Sequence, residues 1–279
     1  MELIKSLKLK KPLITGLVLI GIAMIFRLLD IFVFNLDDLW GEIIVSKIIG
    51  FIIVLIFVKL VGESLKDIGF NFINKKSIII IGGIFTAFLL VACYLFEIMM
   101  FSNKGPVLKL AAIDPKTGVS GGIWFAFFLL MGNVVNCFME EGLFRGVLIP
   151  MLSKKYSIRM TIFLQGLLFG LWHIPWAFKW YQSGIVEGTS GFIMALVMNS
   201  IPMIFMGIVW GVMYYYTDSI WAPWISHFIT NSVLNLLHTN YGGELDNGMF
   251  IRMALFQTVI FTLIPIIIKT SRAFNESQT

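Results

Sequence analysis

The sequence predicts an all-α membrane protein, a polytopic bundle of about eight transmembrane helices. Of its 279 residues, 58% are hydrophobic and only 13% are charged, whereas charged residues make up about 25% of an ordinary soluble domain. The mean hydropathy is +0.89. Several stretches of about 20 residues are nearly free of charge, the length that an α-helix needs to cross a hydrocarbon core of about 30 Å. These runs are too long and too continuous for the alternating strands of an outer-membrane barrel.

Apolar runs separated by short polar tracts define the predicted spans. The first is too long for a signal peptide and lacks an obvious small-residue cleavage site, and the fourth is long for one crossing, so it should tilt or protrude. The connections are too short for a separate soluble domain, so we expect one domain over residues 1–279, with a motif-bearing core at 121–238. The predicted spans are Pro12–Phe34, Trp40–Val61, Ser77–Phe101, Gly121–Leu152, Ile158–Trp180, Ser190–Tyr216, Thr217–His238 and Met249–Lys269.

The basic residues between spans predict the orientation, because cytoplasmic loops retain lysine and arginine. If the N-terminus is inside, thirteen basic residues lie on the inner side and five on the outer side. Both termini of this multi-pass protein are therefore expected on the cytoplasmic side of the cell membrane. The net charge of +5 lies mostly in such short tracts, so nucleic acid is not an expected partner. The inner set is Lys5, Lys8, Lys10, Lys11, Lys59, Lys66, Lys75, Lys76, Lys154, Lys155, Arg159, Lys269 and Arg272; the outer set is Lys104, Lys109, Lys116, Lys179 and Arg252.

Ionisable residues inside a span indicate a partner or a function, because each costs about 2.5 to 3.5 kcal/mol at the centre of a helix on translocon-based scales. We expect them to be concentrated in spans four, five and seven. In span four, Glu141 and Arg145 are four residues apart and share a helix face, so they are predicted to form a supporting ion pair. Glu140 lies about 100° round the helix from Glu141 and is predicted to be the free carboxylate.

Spans five and seven carry the other polar groups. His173 precedes Pro175 by two residues, and a proline removes a backbone donor and clashes with the carbonyl of Leu171, so the helix should kink or open beside the histidine. His227 and Asn231 are four residues apart and share one face of span seven.

The three helices should bring these groups to a common depth. At about 1.5 Å per residue, Glu140, His173 and His227 lie roughly 10 to 22 Å from the inner ends of their spans. We therefore expect one polar active site in the bilayer interior, near its middle or in its cytoplasmic half. His238, at the outer end of span seven, is expected to be an ordinary loop residue.

The polar residues form three motifs in a fixed order along the chain. The sequence therefore resembles the membrane-embedded type II CAAX prenyl endopeptidases, the Ras-converting enzymes, and their bacteriocin-processing relatives in the ABI or CPBP family. Its size and predicted layout are most similar to archaeal homologues. The motifs are Glu140-Glu141-x-x-x-Arg145, Phe169-x-x-x-His173 and His227-x-x-x-Asn231.

The resemblance implies an intramembrane endopeptidase that removes the C-terminal tripeptide after a prenylated cysteine. The expected partners are then a prenylated CAAX-type protein or peptide, entering from the cytoplasmic side, and membrane lipid. A carboxylate with a neighbouring imidazole can activate water, which we assign to Glu140 and His173. Two donors on a separate helix can hold a developing oxyanion, which we assign to His227 and Asn231.

Two alternatives remain open at this stage. Glu140, His173 and His227 are adequate ligands for Zn²⁺, so a zinc-dependent intramembrane protease could use the same residues, although a site without a cofactor is favoured. Buried charges could instead line a transport path or bind a peptide without chemistry. The sequence shows neither the inverted repeats nor the paired broken helices that are typical of a transporter.

Overall fold

The computed structural model describes residues 2–36 and 43–276, and for residues 267–276 it describes the backbone alone. Helices dominate this part of the chain, and five short strands lie in two small sheets. The helices are α1 (Glu2–Lys10), α2 (Pro12–Phe34), α3 (Val45–Leu60), α4 (Lys75–Met100), α5 (Ile123–Leu152), α6 (Ile158–Trp172), α7 (Ile174–Gln182), α8 (Gly188–Thr217), α9 (Trp221–Leu236) and α10 (Met249–Glu276). The strands are β1 (Val107–Leu110), β2 (Ala112–Ile113), β3 (Ser120–Gly121), β4 (Leu237–Tyr241) and β5 (Glu244–Leu245).

The predicted all-α polytopic membrane fold is confirmed, but the described residues contain fewer than eight segments long enough to span a membrane. Six described segments are long and apolar enough to cross a membrane: α2, α4, α5, α6 with α7, α8, and Met249–Ile266 of α10. Helices α3 and α9 replace the predicted second and seventh spans with 16 residues each. At 1.5 Å per residue, such a helix is about 24 Å long, shorter than a hydrocarbon core of about 30 Å.

Helix α9 is shorter than the predicted seventh span because the backbone changes its hydrogen-bond partners at the end of the helix. The chain leaves the helix at Leu237 and pairs with β1, so that Leu110 lies opposite Leu237 and Leu108 opposite Thr239. At the other end, Asp218 adopts a left-handed conformation with φ of 50° and terminates α8 before α9 begins. The predicted start of the second span at Trp40 lies outside the described residues.

Several helices depart from regular α-helical geometry. Wider π-helical turns occupy Asp30–Phe34 in α2, Ile78–Phe85 in α4 and Glu141–Leu148 in α5. The predicted break beside His173 is confirmed, because α6 ends immediately before this residue and α7 begins after it with Pro175 in its first turn. A π-helical turn often marks a functional region, and one of these begins directly after Glu140.

The two ends of the helix bundle can be told apart by their loop contacts. At the first end, which we call the terminal end, Lys8 of α1 pairs with Glu63, and Asn71 donates a hydrogen bond of 2.9 Å to the carbonyl of Asp218. At the opposite end, which we call the sheet end, residues 101–122 meet residues 237–248 in the three-stranded sheet β1-β4-β5. Trp180 adds a bond of 2.8 Å to the carbonyl of Lys116 there.

Close helix packing around α8 depends on glycine. A Cβ atom on Gly207 of α8 would lie 2.9 Å from the Cα of Gly166 on α6, and one on Gly170 would lie 2.8 Å from the carbonyl oxygen of Ser200. Small residues allow two helix backbones in a membrane to approach closely. The consequence for the site is that the Gly207 carbonyl is brought within reach of side chains from neighbouring helices.

A buried ionic cluster holds the sheet end together. Arg252 of α10 contacts Glu97 of α4 at 2.6 Å and Asp246 at 2.9 Å, and Thr239 donates a hydrogen bond of 2.8 Å to Glu97. His238 joins this cluster through a 2.5 Å contact from Nδ1 to Asp246 Oδ2. The expectation that His238 is an ordinary loop residue is therefore wrong, because the pairing of β4 with β1 turns it inward.

The contacts of His238 favour its charged form. Its Nδ1 faces a carboxylate, while its Nε2 lies 3.2 Å from the carbonyl of Ala111 and 3.3 Å from that of Asn235, so both ring nitrogens are placed to donate. The hydrogen bond to Asp246 is the largest influence and raises the pKa of His238 above its usual value. Such a group stabilises the folded protein while it is protonated in the fold.

We expect this stabilisation to disappear as pH rises. It should be fully present below the unfolded pKa of about 6.5 and be lost through the raised folded pKa. His238→Asn keeps a donor near Asp246 but does not titrate. Because only the wild type loses stabilisation as pH rises above about 6.5, the melting temperatures of the two proteins in detergent should converge there. At lower pH the wild type should be more stable by about 1.5 to 3 kcal/mol, the range for a hydrogen bond to a charged group. A gap between the two proteins that stays constant across this range would contradict the prediction.

Candidate active site

Glu140 is held by residues from two other helices. It is the last residue before the π-helical turns of α5 and is 2% exposed. The Trp172 indole donates a hydrogen bond of 3.0 Å to Glu140 Oε1, and Arg27 Nη1 lies 3.8 Å from the same oxygen. Glu140 Oε2 has no hydrogen-bond partner among the described residues and lies 3.8 Å from His227 Nε2. One oxygen is therefore fixed, and the other faces a histidine.

The prediction that Glu140 is the free carboxylate is thus wrong in one respect. Helical spacing within α5 offers it no partner, but Arg27 and Trp172 reach it across helix interfaces. The signal for Arg27 was present, because an arginine inside an otherwise apolar first span needs a partner. Ionisable residues are also less concentrated than expected, since Lys47 and Glu97 are buried in helices outside spans four, five and seven.

His227 lies between the two adjacent glutamates. Its Nδ1 is 2.8 Å from Glu141 Oε1, and because an ionised carboxylate only accepts hydrogen bonds, Nδ1 is the donor. The indole of Trp210 stacks on the imidazole at 4.0 Å between ring centroids and an angle of 19°. The ring is therefore fixed in position and in tautomer, with Nε2 directed towards Glu140.

His173 stands at the break between α6 and α7. Its Nδ1 donates to the carbonyl of Phe169 at 2.8 Å, so in the neutral ring Nε2 carries the lone pair. The Asn199 side chain donates to the backbone carbonyl of His173 at 2.5 Å. The proline-containing first turn of α7 and this bond hold the histidine where the regular helix is interrupted.

Phe169 packs between the two histidines. Its ring centroid lies 4.8 Å from that of His173 and 6.3 Å from that of His227, and the side chain is fully buried. The guanidinium carbon of Arg145 lies 4.3 Å from the centroid of the same ring. Packing is the role expected of an aromatic residue here, and the ring keeps the spacing of the two imidazoles.

The predicted ion pair of Glu141 and Arg145 is present. Arg145 Nη1 lies 3.2 Å from Glu141 Oε1, and both side chains are fully buried. Arg145 Nη2 also donates to the carbonyl of Gly207 at 3.3 Å, the carbonyl that the close packing of α6 and α8 brings within reach. Neither residue lines the cavity described next. The pair supports His227 through the contact of Glu141 with Nδ1, the ring nitrogen that does not face Glu140.

The four residues predicted to carry the chemistry surround one cavity of about 190 Å³. Helix α5 contributes Glu140, the α6–α7 break contributes His173, and α9 contributes His227 and Asn231. The three helices therefore meet at one cavity. Other polar lining residues are Arg27, Lys47, Lys116, Asn133, Asn136, Asn199, Thr230, Asn235 and Gln257.

The cavity extends towards the sheet end of the bundle. Pro115 and Lys116, from the loop between β2 and β3, line it, and among the described residues none of the terminal-end segments 61–74 and 217–220 does so. Within residues 2–36 and 43–266, no three histidine, cysteine, aspartate or glutamate side chains are grouped as ligands for a metal ion. Glu140, His173 and His227 all line the cavity.

The apolar helices and this enclosed set of a carboxylate, two imidazoles and a carboxamide define a multi-pass membrane protein with acid–base residues in its interior. Residues 122–233 match the family model described as type II CAAX prenyl endopeptidase Rce1-like. The family resemblance is thereby confirmed over the segment that carries all three motifs, and it supports an intramembrane protease of the CAAX type. No curated protein and no solved structure matches the chain significantly.

We expect Arg145 to contribute mainly to stability. Arg145→Leu leaves Glu141 without its arginine in a fully buried place, and breaking a buried ion pair costs about 3 to 5 kcal/mol. The melting temperature in detergent should fall strongly, and peptidase activity should fall with it. Arg159→Leu, at an exposed position of α6, is the matched control and should change stability by less than about 0.5 kcal/mol. A fully stable but inactive Arg145→Leu protein would instead make this arginine part of the catalytic site.

Proposed function

We propose that the protein is an intramembrane endopeptidase that removes the C-terminal tripeptide after a prenylated cysteine. The observation that carries the proposal is the asymmetry of Glu140. Oε1 is held by Trp172 and Arg27, while Oε2 has no hydrogen-bond partner among the described residues and faces a cavity with two histidines. Glu141 Oε2 also lacks a hydrogen-bond partner among the described residues, but only Glu140 of the two lines the cavity, where a bound reactant can supply the missing hydrogen bond. The family match over residues 122–233 supports the same reaction class.

In the proposed reaction, Glu140 and His173 activate water. Glu140 Oε2 takes a proton from the water, whose oxygen then forms a bond to the carbonyl carbon of the scissile peptide. His173 has its Nδ1 proton committed to Phe169, so its Nε2 can accept a hydrogen bond from the same water. When the carbon–nitrogen bond breaks, the proton held by Glu140 passes to the leaving amine. The number of protons is thereby conserved without a cofactor.

His227 and Asn231 are proposed to hold the oxyanion. The Asn231 carboxamide is a neutral donor that lines the cavity one turn from His227 on α9. Because Glu141 holds the Nδ1 proton of His227, donation from Nε2 requires a second proton on the ring. The ring then carries a positive charge beside the Glu141 carboxylate, which attracts it, while Glu140 holds the proton taken from water. Removing one oxyanion donor in other hydrolases reduces kcat by about 10²- to 10³-fold.

The size of the cavity favours a substrate with its lipid outside the polar site. Small-molecule pockets are typically about 300 to 1,000 Å³, and the 190 Å³ here suits a short stretch of peptide. A separate apolar cavity of about 480 Å³ lies beside the His173 break. We propose that it accepts part of the prenyl chain, where each buried CH₂ contributes about 0.8 kcal/mol. Its lining residues are Met24, Leu28, Phe32, Leu171, Ile174, Pro175, Phe178 and Gln182.

The expected result is strong preference for a prenylated peptide. Purified protein in liposomes should cleave a farnesylated CAAX peptide after the modified cysteine, and the same peptide with a free cysteine much more slowly at equal membrane occupancy. Mass spectrometry identifies the released tripeptide. Because we propose a site without metal, a chelator should leave the rate unchanged. Equal rates for the two peptides would contradict prenyl recognition, and loss of activity with the chelator that zinc restores would favour the zinc-dependent alternative.

The controls for this assay are substitutions of the proposed water-activating residues. Glu140→Gln and His173→Ala should each lower the rate by at least about 10²-fold, the lower bound for general acid–base catalysis. Glu187→Gln, at an exposed position before α8, is the matched control for Glu140→Gln and should retain full activity. Near-normal turnover in Glu140→Gln or in His173→Ala would remove the substituted residue from the mechanism. Binding without turnover in the wild type would favour the non-enzymatic alternative, a transporter or peptide-binding protein.

The direction of the cavity links substrate entry to membrane orientation. The cavity extends to the sheet end, whereas α1 lies at the terminal end. If the substrate enters at the sheet end, cytoplasmic termini and cytoplasmic entry of the substrate, both expected from the sequence, exclude each other. We propose that the basic residues decide the orientation, because the positive-inside rule acts through lysine and arginine in short loops. The sheet end, towards which the cavity extends, would then face the outer side.

Cysteine labelling tests this orientation. Native Cys93 and Cys137 are buried, so single cysteines introduced at exposed Lys109 in β1 and exposed Lys154 report on the two ends. In intact cells, a membrane-impermeant maleimide should label Lys109→Cys at once and Lys154→Cys only after permeabilisation. The reverse pattern would contradict the orientation and restore cytoplasmic entry of the substrate.

A further inference from the structure

Helices α5 and α9 cross the cavity as an antiparallel pair with a regular set of facing side chains. Glu140 faces His227, and seven residues earlier on α5, Asn133 donates a hydrogen bond of 2.9 Å to Asn235 of α9. The helices therefore run in opposite directions with a nearly constant register. By this register, Asn136, between the two contacts on α5, lies opposite the region of Asn231.

Asn136 differs from the other carboxamide on its helix face. Asn133 is paired with Asn235, which in turn donates to the carbonyl of Ile113 at 3.3 Å. The Asn136 side chain lines the cavity, is 6% exposed, and has a buried Oδ1 without any hydrogen-bond partner among the described residues. It precedes Glu140 by one helical turn. A buried acceptor of this kind requires a donor, and a substrate can supply one.

We propose that Asn136 binds a backbone N–H of the tripeptide that is cleaved off, which rests on the proposed function. A peptide in the cavity must satisfy its own N–H groups away from water. Four residues of α5 separate Asn136 from Glu140 by about 6 Å along the helix axis. Two residues of an extended peptide cover about 6.6 Å. With the scissile carbonyl at Glu140, the N–H of the third residue after the cut, the C-terminal residue, meets Asn136 Oδ1.

The hydrogen-bonded pair of Asn133 and Asn235 lies beyond Asn136 and ends the polar seam between α5 and α9. It ties α5 to α9 and, through Ile113, to β2, so the cavity holds only a short extended segment along this seam. The tripeptide occupies the polar seam because the prenylated cysteine remains next to the lipid. Asn136 is therefore a substrate-binding residue that sets the alignment of the scissile bond relative to Glu140.

A substrate with one atom changed tests the contact. A farnesylated peptide in which the C-terminal residue is replaced by its 2-hydroxy acid has an ester in place of the last amide and lacks that N–H. Wild-type kcat/KM should fall about tenfold on this ester, and Asn136→Leu should fall about tenfold on the amide and no further on the ester. That coupling corresponds to about 1.4 kcal/mol. Additive losses, or an unchanged Asn136→Leu, overturn the inference.

Two further variants keep the test decisive. Asn133→Leu removes a carboxamide from the same helix face but breaks a structural hydrogen bond, so it should lower the melting temperature and show no coupling to the ester. If Asn136→Leu does not fold, Asn136→Ala replaces it in the same cycle. Absence of cleavage of the prenylated amide by the wild type overturns the proposed function and this inference with it. Cleavage without coupling overturns the inference alone.

Discussion

The structure depends on the accommodation of two adjacent carboxylates inside a membrane protein. Glu140 and Glu141 point to different neighbours, and each must be offset by groups from other parts of the fold. Arg145 and His227 hold Glu141, while Trp172 and Arg27 hold one oxygen of Glu140. These partners come from α2, the C-terminal end of α6, α9 and α5 itself. Helix packing and site geometry are therefore consequences of the same electrostatic requirement.

Comparison of the two buried acidic centres separates structure from chemistry. At the sheet end, both oxygens of Glu97 are used, one by Tyr241 and Thr239 and the other by Arg252. At the cavity, Glu140 keeps one oxygen without a hydrogen-bond partner among the described residues. A carboxylate with both oxygens hydrogen-bonded helps to rigidify a fold, whereas an unsatisfied oxygen that faces a cavity is available to a reactant. The first arrangement joins α4 to α10, and the second supports a reaction.

Much of the fold and of the site follows from local sequence patterns. The apolar runs predict membrane helices because lipid leaves the backbone no other partners. Helical spacing correctly pairs Glu141 with Arg145, and Pro175 correctly predicts the break at His173. The polar groups of the three motifs also line one cavity. Each of these results depends on residues that are close in sequence or on the fixed rise of a helix.

The sequence alone determined the membrane class, the order of the helices and the residues that share a helix face, because these depend on composition and helical periodicity. Only the tertiary structure decided that Arg27 and Trp172 hold Glu140, that His238 is buried, and that the cavity extends towards the sheet end. These features join residues from distant parts of the chain. Their contacts are set by helix rotation, by the pairing of β1 with β4 and by close approach at Gly207, none of which has a periodic signal in the sequence.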